Sequence, residues 1–102
     1  MSVVRLTKEN FEVAKSGEKK VLIDFYADWC GPCRMVSPIV DKIAEEHPEY
    51  LVCKINVDDD PELAMQFGVE SIPTLIVMKG GEVINRAAGA RPKDMILAML
   101  CD

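Results

Sequence analysis

The chain has 102 residues, 49% of them hydrophobic and 28% charged, with a formal net charge of −5. That length suits one compact domain, expected over residues 1–102, and excludes a second; the composition is too apolar for disorder. The acidic balance argues against nucleic acid or an anionic membrane as partner, since both require clustered Lys and Arg.

Taken in chain order, Val3-Val4 reads as a short edge strand, and an amphipathic helix is expected from Thr7, burying Phe11 and Ala14. Val21-Leu22-Ile23-Asp24-Phe25-Tyr26 is an apolar, β-rich run of the kind that forms a buried strand. From Pro32 onward, Met35, Val36, Ile39, Val40, Ile43 and Ala44 recur at helical spacing, and the stripe continues past Pro38, which predicts one kinked helix. Leu51–Val57 reads as another buried strand. Asp60-Pro61 then offers a cap and a first-turn proline for a short helix carrying Leu63, Ala64 and Phe67, stopped by Gly68. Thr74–Met78 is a further strand, and Lys79-Gly80-Gly81-Glu82 is a glycine turn leading into Val83-Ile84, a hairpin signature. Pro92 opens a last helix with Met95, Ile96, Met99 and Leu100 inward. The order β-α-β-α-β-α-β-β-α predicts an α/β fold with parallel pairing and helices on both faces of the sheet.

Apolar runs here are strand-sized, well short of the about 20 residues a membrane-spanning helix needs. The beginning, Met1-Ser2-Val3-Val4-Arg5-Leu6-Thr7-Lys8-Glu9, lacks the pattern of a secretory signal, so a cytoplasmic location is expected. In that reducing setting four cysteines point to redox catalysis or metal binding rather than to a structural disulfide framework.

Cys30 and Cys33 fall where a buried strand gives way to a helix. The first N–H groups of a helix lack partners and carry partial positive charge. A thiolate at Cys30 gains from that, bringing its pKa well below the ordinary thiol value of about 8.5, and thiolate is the form that attacks a disulfide. An offset of three returns Cys33 to Cys30 across one helical turn, placing a second sulfur to resolve a mixed disulfide. Gly31 permits close approach of a partner chain, and Pro32 fits the first turn of a helix. The competing readings are a pair of buried structural cysteines or half of a zinc site, and for zinc the other candidates, Cys53, Cys101 and His47, show no paired spacing. Cys53 reads as a small core residue, Cys101 as an exposed thiol near the C-terminus, and His47 as a capping or solvated residue.

With those residues in place, the chain resembles the thioredoxin family along nearly its whole length. The resemblance is carried by Asp24-Phe25-Tyr26-Ala27-Asp28-Trp29-Cys30-Gly31-Pro32-Cys33, by Pro38 inside a helix, by Ile72-Pro73-Thr74 and by Gly89. It implies a central mixed sheet flanked by helices and a protein-disulfide reductase that keeps protein thiols reduced. It also implies a monomer with no bound cofactor, recharged by thioredoxin reductase, the NADPH and flavin acting through that partner. Cys30 is then the attacking thiolate and Cys33 the resolving thiol, with Gly31-Pro32 tuning the potential. Family likeness further implies a cis bond before Pro73, leaving the Ile72 backbone free to pair with an extended client. Trp29, Gly31, Pro32, Ile72, Ala88 and Gly89 would make an apolar docking surface around the Cys30 sulfur.

Asp24 has two readings. A carboxylate in an apolar strand is costly unless paired or neutralised. It either forms a salt bridge with Lys54 on the neighbouring strand, or burial raises its pKa so that it takes the proton from Cys33 during resolution. The resemblance favours the second, and the two are compatible. Three positions depart from the common family pattern: Tyr26 stands in place of a frequent tryptophan, Arg34 of a lysine and Ser71 of a glycine. Besides a reductase, an oxidase or isomerase of the same fold and a non-catalytic docking module remain open at this level.

Overall fold

A computed structural model describes residues 3–101, so residues 1, 2 and 102 of the expected domain lie outside the described part. The elements follow as β1 (Val4–Arg5), α1 (Glu12–Ser16), β2 (Val21–Tyr26), α2 (Gly31–Glu46), β3 (Leu51–Asn56), α3 (Pro61–Gln66), β4 (Thr74–Lys79), β5 (Glu82–Ala88) and α4 (Lys93–Leu100). They match the expected order.

The strands form one five-stranded sheet in the order β1-β3-β2-β4-β5. β1, β3 and β2 pair in parallel, whereas β4 runs antiparallel to β2 and β5 antiparallel to β4. The sheet is therefore mixed, with β2 at its centre.

Strand alternation divides the core into two layers. Val21, Ile23 and Phe25 face one side with Cys53, Ile55 and Ile76, covered by Phe11, Ala14, Leu63 and Ala64 from the α1 and α3 segments. Leu22 faces the other side with Val52, Leu75 and Val77, covered by Val36, Val40 and Ile43 of α2 and by Ile96 and Leu100 of α4. Asp24, between Leu22 and Tyr26, lies by the same alternation on the α2 side.

Several local expectations need correction. Thr7 opens a hydrogen-bonded turn rather than regular helix: Asn10 N–H donates to the Thr7 carbonyl at 3.2 Å, and Asn10 Oδ1 accepts from Thr7 N–H at 2.7 Å. A side chain that bonds the local backbone in this way competes with helix. Regular α1 begins only at Glu12. Asp60 stands at the N-cap of α3 but makes no side-chain capping bond; its carboxylate accepts instead from Lys8 N–H at 3.3 Å. Met35 and Met95 are not inward, being 70% and 50% exposed. The buried line of α2 is Cys33, Val36, Val40, Ile43 and Ala44, and Met35 lies outside it. Val83 and Ile84 lie on the exposed edge strand β5, which extends to Ala88. α2 runs through Pro38 without interruption.

Candidate active site

The turn between β2 and α2 places Cys30 at the N-cap of α2. Its backbone is extended, with φ −89° and ψ 115°, while Gly31 and Pro32 already belong to the helix. Proline at this point removes no bond, because first-turn N–H groups have no intrahelical acceptor. Cys30 Sγ accepts from the Cys33 N–H at 3.2 Å, so a helix-terminal donor is aimed at the sulfur as expected. Cys30 and Cys33 are joined as a disulfide, with Cα atoms 5.3 Å apart.

Both cysteines are buried, at 4% and 2% exposure, and border different cavities. Cys30 lines an apolar groove of about 500 Å³, together with Trp29, Gly31, Pro32 and Ile72 from the predicted surface. Val57, Ala64, Val69, Glu70 and Ser71 complete it. Cys33 instead lines a smaller cavity of about 200 Å³ with polar walls, which include Tyr26, Ser37 and Lys54. Trp29 is 69% exposed, and its indole N–H donates to Asp58 Oδ2 at 2.9 Å, which orients the ring beside the groove.

Ile72 comes from a distant loop, yet its carbonyl oxygen lies 3.8 Å from Cys30 Sγ. The Ile72–Pro73 bond is cis, as the resemblance implied. Among the described residues, neither backbone group of Ile72 has a backbone partner. Thr74 Oγ1 braces the loop by donating to the Ser71 carbonyl at 2.6 Å. Pro73, Ala88 and Gly89 do not line the groove. Gly89 N–H donates to the Pro73 carbonyl at 2.8 Å, and Ala88 pairs with Thr74. Gly89 has φ +99°, a backbone region that favours glycine. Arg34 turns back to donate twice to the Asp28 carbonyl, at 3.2 and 3.0 Å, bracing the turn that carries the cysteines.

Asp24 is fully buried, and neither carboxyl oxygen has a hydrogen-bond partner. The expected salt bridge to Lys54 is not formed. β2 and β3 set the two residues opposite each other in register, but the Lys54 ammonium is engaged elsewhere, donating to Ser37 Oγ at 2.5 Å and pairing with Asp41 Oδ1 at 3.0 Å. Burial pushes the Asp24 carboxyl up to about 7; the Lys54 charge opposes this, and Asp41 adds to it.

Of the remaining cysteines, Cys53 is buried, and burial raises its thiol to about 12, while Cys101 is exposed. Among the described residues no three His, Cys, Asp or Glu side chains cluster to hold a metal ion. His47 caps the end of α2 through its N–H to the Ile43 carbonyl at 2.9 Å, and its Nδ1 lies 3.0 Å from Glu49 Oε2. Sequence reasoning missed Asp58, Ser37 and Asp41. Two signals pointed to them: the acidic run Asp58-Asp59-Asp60 follows β3 at the sheet end that carries Trp29, and Ser37 and Asp41 sit four apart, on one face of α2.

A Cys-X-X-Cys disulfide at a strand–helix junction, with its first cysteine bordering an apolar groove, defines a thiol–disulfide oxidoreductase. The thioredoxin family model matches residues 2–102. The chain is 47% identical over 102 residues to the thioredoxin of Alicyclobacillus acidocaldarius subsp. acidocaldarius, covering 99% of this chain and 97% of that one. It is likewise 47% identical over 102 residues to the thioredoxin of Pyropia yezoensis (98% and 95% covered), and 42% over 97 residues to that of Bacillus subtilis strain 168 (94% and 92%). The chain belongs to the thioredoxin family. It is a protein-disulfide reductase of cell redox homeostasis, whose chemistry uses the Cys30–Cys33 pair; thioredoxins carry no cofactor. No helix among the described residues is long and apolar enough to cross a membrane.

Proposed function

We propose that the exchange divides its labour across the two sides of the disulfide, with Cys30 meeting the client and Cys33 meeting the proton acceptor. In the reduced protein the Cys30 thiolate attacks one sulfur of a client disulfide. A Cys30–client bond forms, and the other client sulfur leaves as thiolate. Asp24 takes the proton from Cys33, whose thiolate then attacks Cys30 Sγ. The Cys30–Cys33 bond closes, the second client sulfur leaves, and two electrons have passed from the protein to the client. The groove receives an extended client segment, which pairs with the free backbone groups of Ile72 and lies against Trp29, Gly31 and Pro32; Pro73 and Gly89, bonded to each other, complete the client-binding surface beside Ile72. Gly31-Pro32 sets the redox potential.

The observation that carries this reading is the split environment of the disulfide, apolar groove at Cys30 and polar cavity at Cys33. Thioredoxin reductase is the partner that restores the dithiol, its flavin and NADPH remaining with that enzyme, and the working location is the cytoplasm. Residues 1–102 act as one domain and as a monomer.

Insulin reduction by dithiothreitol tests the assignment. Wild type accelerates it, Cys30→Ser does not, and Cys33→Ser accumulates mixed disulfides with insulin chains. Turnover that survives Cys30→Ser would remove Cys30 as the attacking group. A potential more oxidising than that of glutathione at equilibrium would defeat the reductase direction.

A further inference from the structure

The Lys54 ammonium is where the sheet register would not put it. Lys54 stands opposite Asp24, a fully buried carboxyl with no partner for either oxygen, and an ammonium in reach of such a group would ordinarily pair with it. Instead α2 supplies two acceptors on one face, Ser37 Oγ at 2.5 Å and Asp41 Oδ1 at 3.0 Å. Ser37 and Asp41 are one helical turn apart, so a single rotation of α2 aims both at β3. The Lys54 side chain is only 11% exposed, whereas Asp41 is 53% exposed. Asp41 therefore draws the cation toward solvent and away from the carboxyl. Lys54 and Ser37 also wall the cavity that Cys33 borders.

We propose that Asp41 and Ser37 are positioning residues, a tether that holds the Lys54 ammonium off Asp24 and so leaves that carboxyl free to receive and return the Cys33 proton. The inference rests on the role given to Asp24 above. Its physics is simple. An ammonium bound directly to Asp24 would hold it ionised and make it a poor proton acceptor near neutrality. Replacing the Asp41 carboxylate with an amide leaves Lys54 with neutral acceptors only, and the carboxyl opposite becomes its best partner. Charged groups acting on Asp24 are Lys54 from β3 and Asp41 from α2, while its register partner on β4 is Leu75. The titratable groups around the cavity are Arg5, Tyr26, Asp28, Cys33, Arg34 and Lys54.

The test follows the Asp24 carboxyl carbon by NMR against pH in the oxidised protein, and the pH profile of insulin reduction in parallel. Asp41→Asn should lower the Asp24 midpoint by about one pH unit, a roughly tenfold loss of proton affinity, and carry the acidic limb of the rate profile with it. Asp41→Glu should restore the wild-type midpoint, and Ser37→Ala should shift it the same way by less. In a Lys54→Met background Asp41→Asn should lower the midpoint by less than half as much, because only the direct effect of the Asp41 charge is then lost. Equal shifts in both backgrounds would mean that Asp41 acts by its own charge, and would overturn the tether. An unmoved midpoint in Asp41→Asn overturns it too, while the Asp24 role stands on its own rate profile. An acidic limb that survives Asp24→Asn overturns that role and the tether's purpose together.

Discussion

Replacing Asp24 with asparagine keeps the size and shape of the side chain while removing its titration, and this isolates the cost of burying the carboxylate. Asp24 is 0% exposed, and burial raises its pKa from 3.8 to about 7. Below pH 4 the group is protonated in both the folded and the unfolded chain and contributes no pH dependence. Between pH 4 and 7 the unfolded chain releases this proton while the folded chain retains it. The unfolded state then binds fewer protons, so stability falls as pH rises, and the loss is complete above pH 7. Roughly three pH units at 1.36 kcal/mol each amount to about 4 kcal/mol, a large share of the 5–15 kcal/mol typical of a domain. Asparagine shows no such slope. Its unpartnered amide adds only a constant offset, and the other carboxylates cancel in a difference. Guanidinium unfolding of both oxidised proteins at intervals from pH 4 to 8.5 should show the wild-type value, minus that of Asp24→Asn, dropping by about 4 kcal/mol. A difference that stays flat to within about 1 kcal/mol would refute the buried, unpaired carboxyl.

The remaining sites give shorter tests. In the oxidised native protein a thiol reagent at pH 8 should titrate the exposed Cys101 quickly and spare Cys53, whose thiol burial holds at about 12; two fast thiols would contradict that burial. Gly89→Ala forces a side chain onto a backbone at φ +99°, and thermal unfolding should register a loss of about 1–3 kcal/mol. An unchanged melting temperature would show that the turn bonded to Pro73 relaxes at no cost. Cys30→Ser should abolish insulin reduction outright, and Cys33→Ser should stall it at the mixed disulfide, as read by gel mobility without reductant.

Much of this molecule was legible before folding because it depends on neighbours in sequence. Spacings of three and four mark α2, apolar β-rich runs mark β2, β3 and β4, and a Cys-X-X-Cys pair after a buried strand brings its sulfurs together by helical geometry alone. Periodicity was less reliable at the margins of a stripe: Met35 and Met95 differ from their buried neighbours by one residue, about 100° of helix, and face solvent.

What tertiary structure decided is everything that joins distant residues. The antiparallel docking of β4 against β2 could not be read from alternating strands and helices, and it is this docking that carries Ile72 to within 3.8 Å of Cys30. The Asp58 bond to Trp29 and the diversion of Lys54 from Asp24 to Ser37 and Asp41 are of the same kind. The sequence by itself determined which sulfur sits at a helix mouth and that a carboxyl is buried in the central strand. Which cation that carboxyl is denied, and which backbone the sulfur meets, depend on how α2 and the Ile72 loop pack, because competing partners at similar range are separated only by three-dimensional distance.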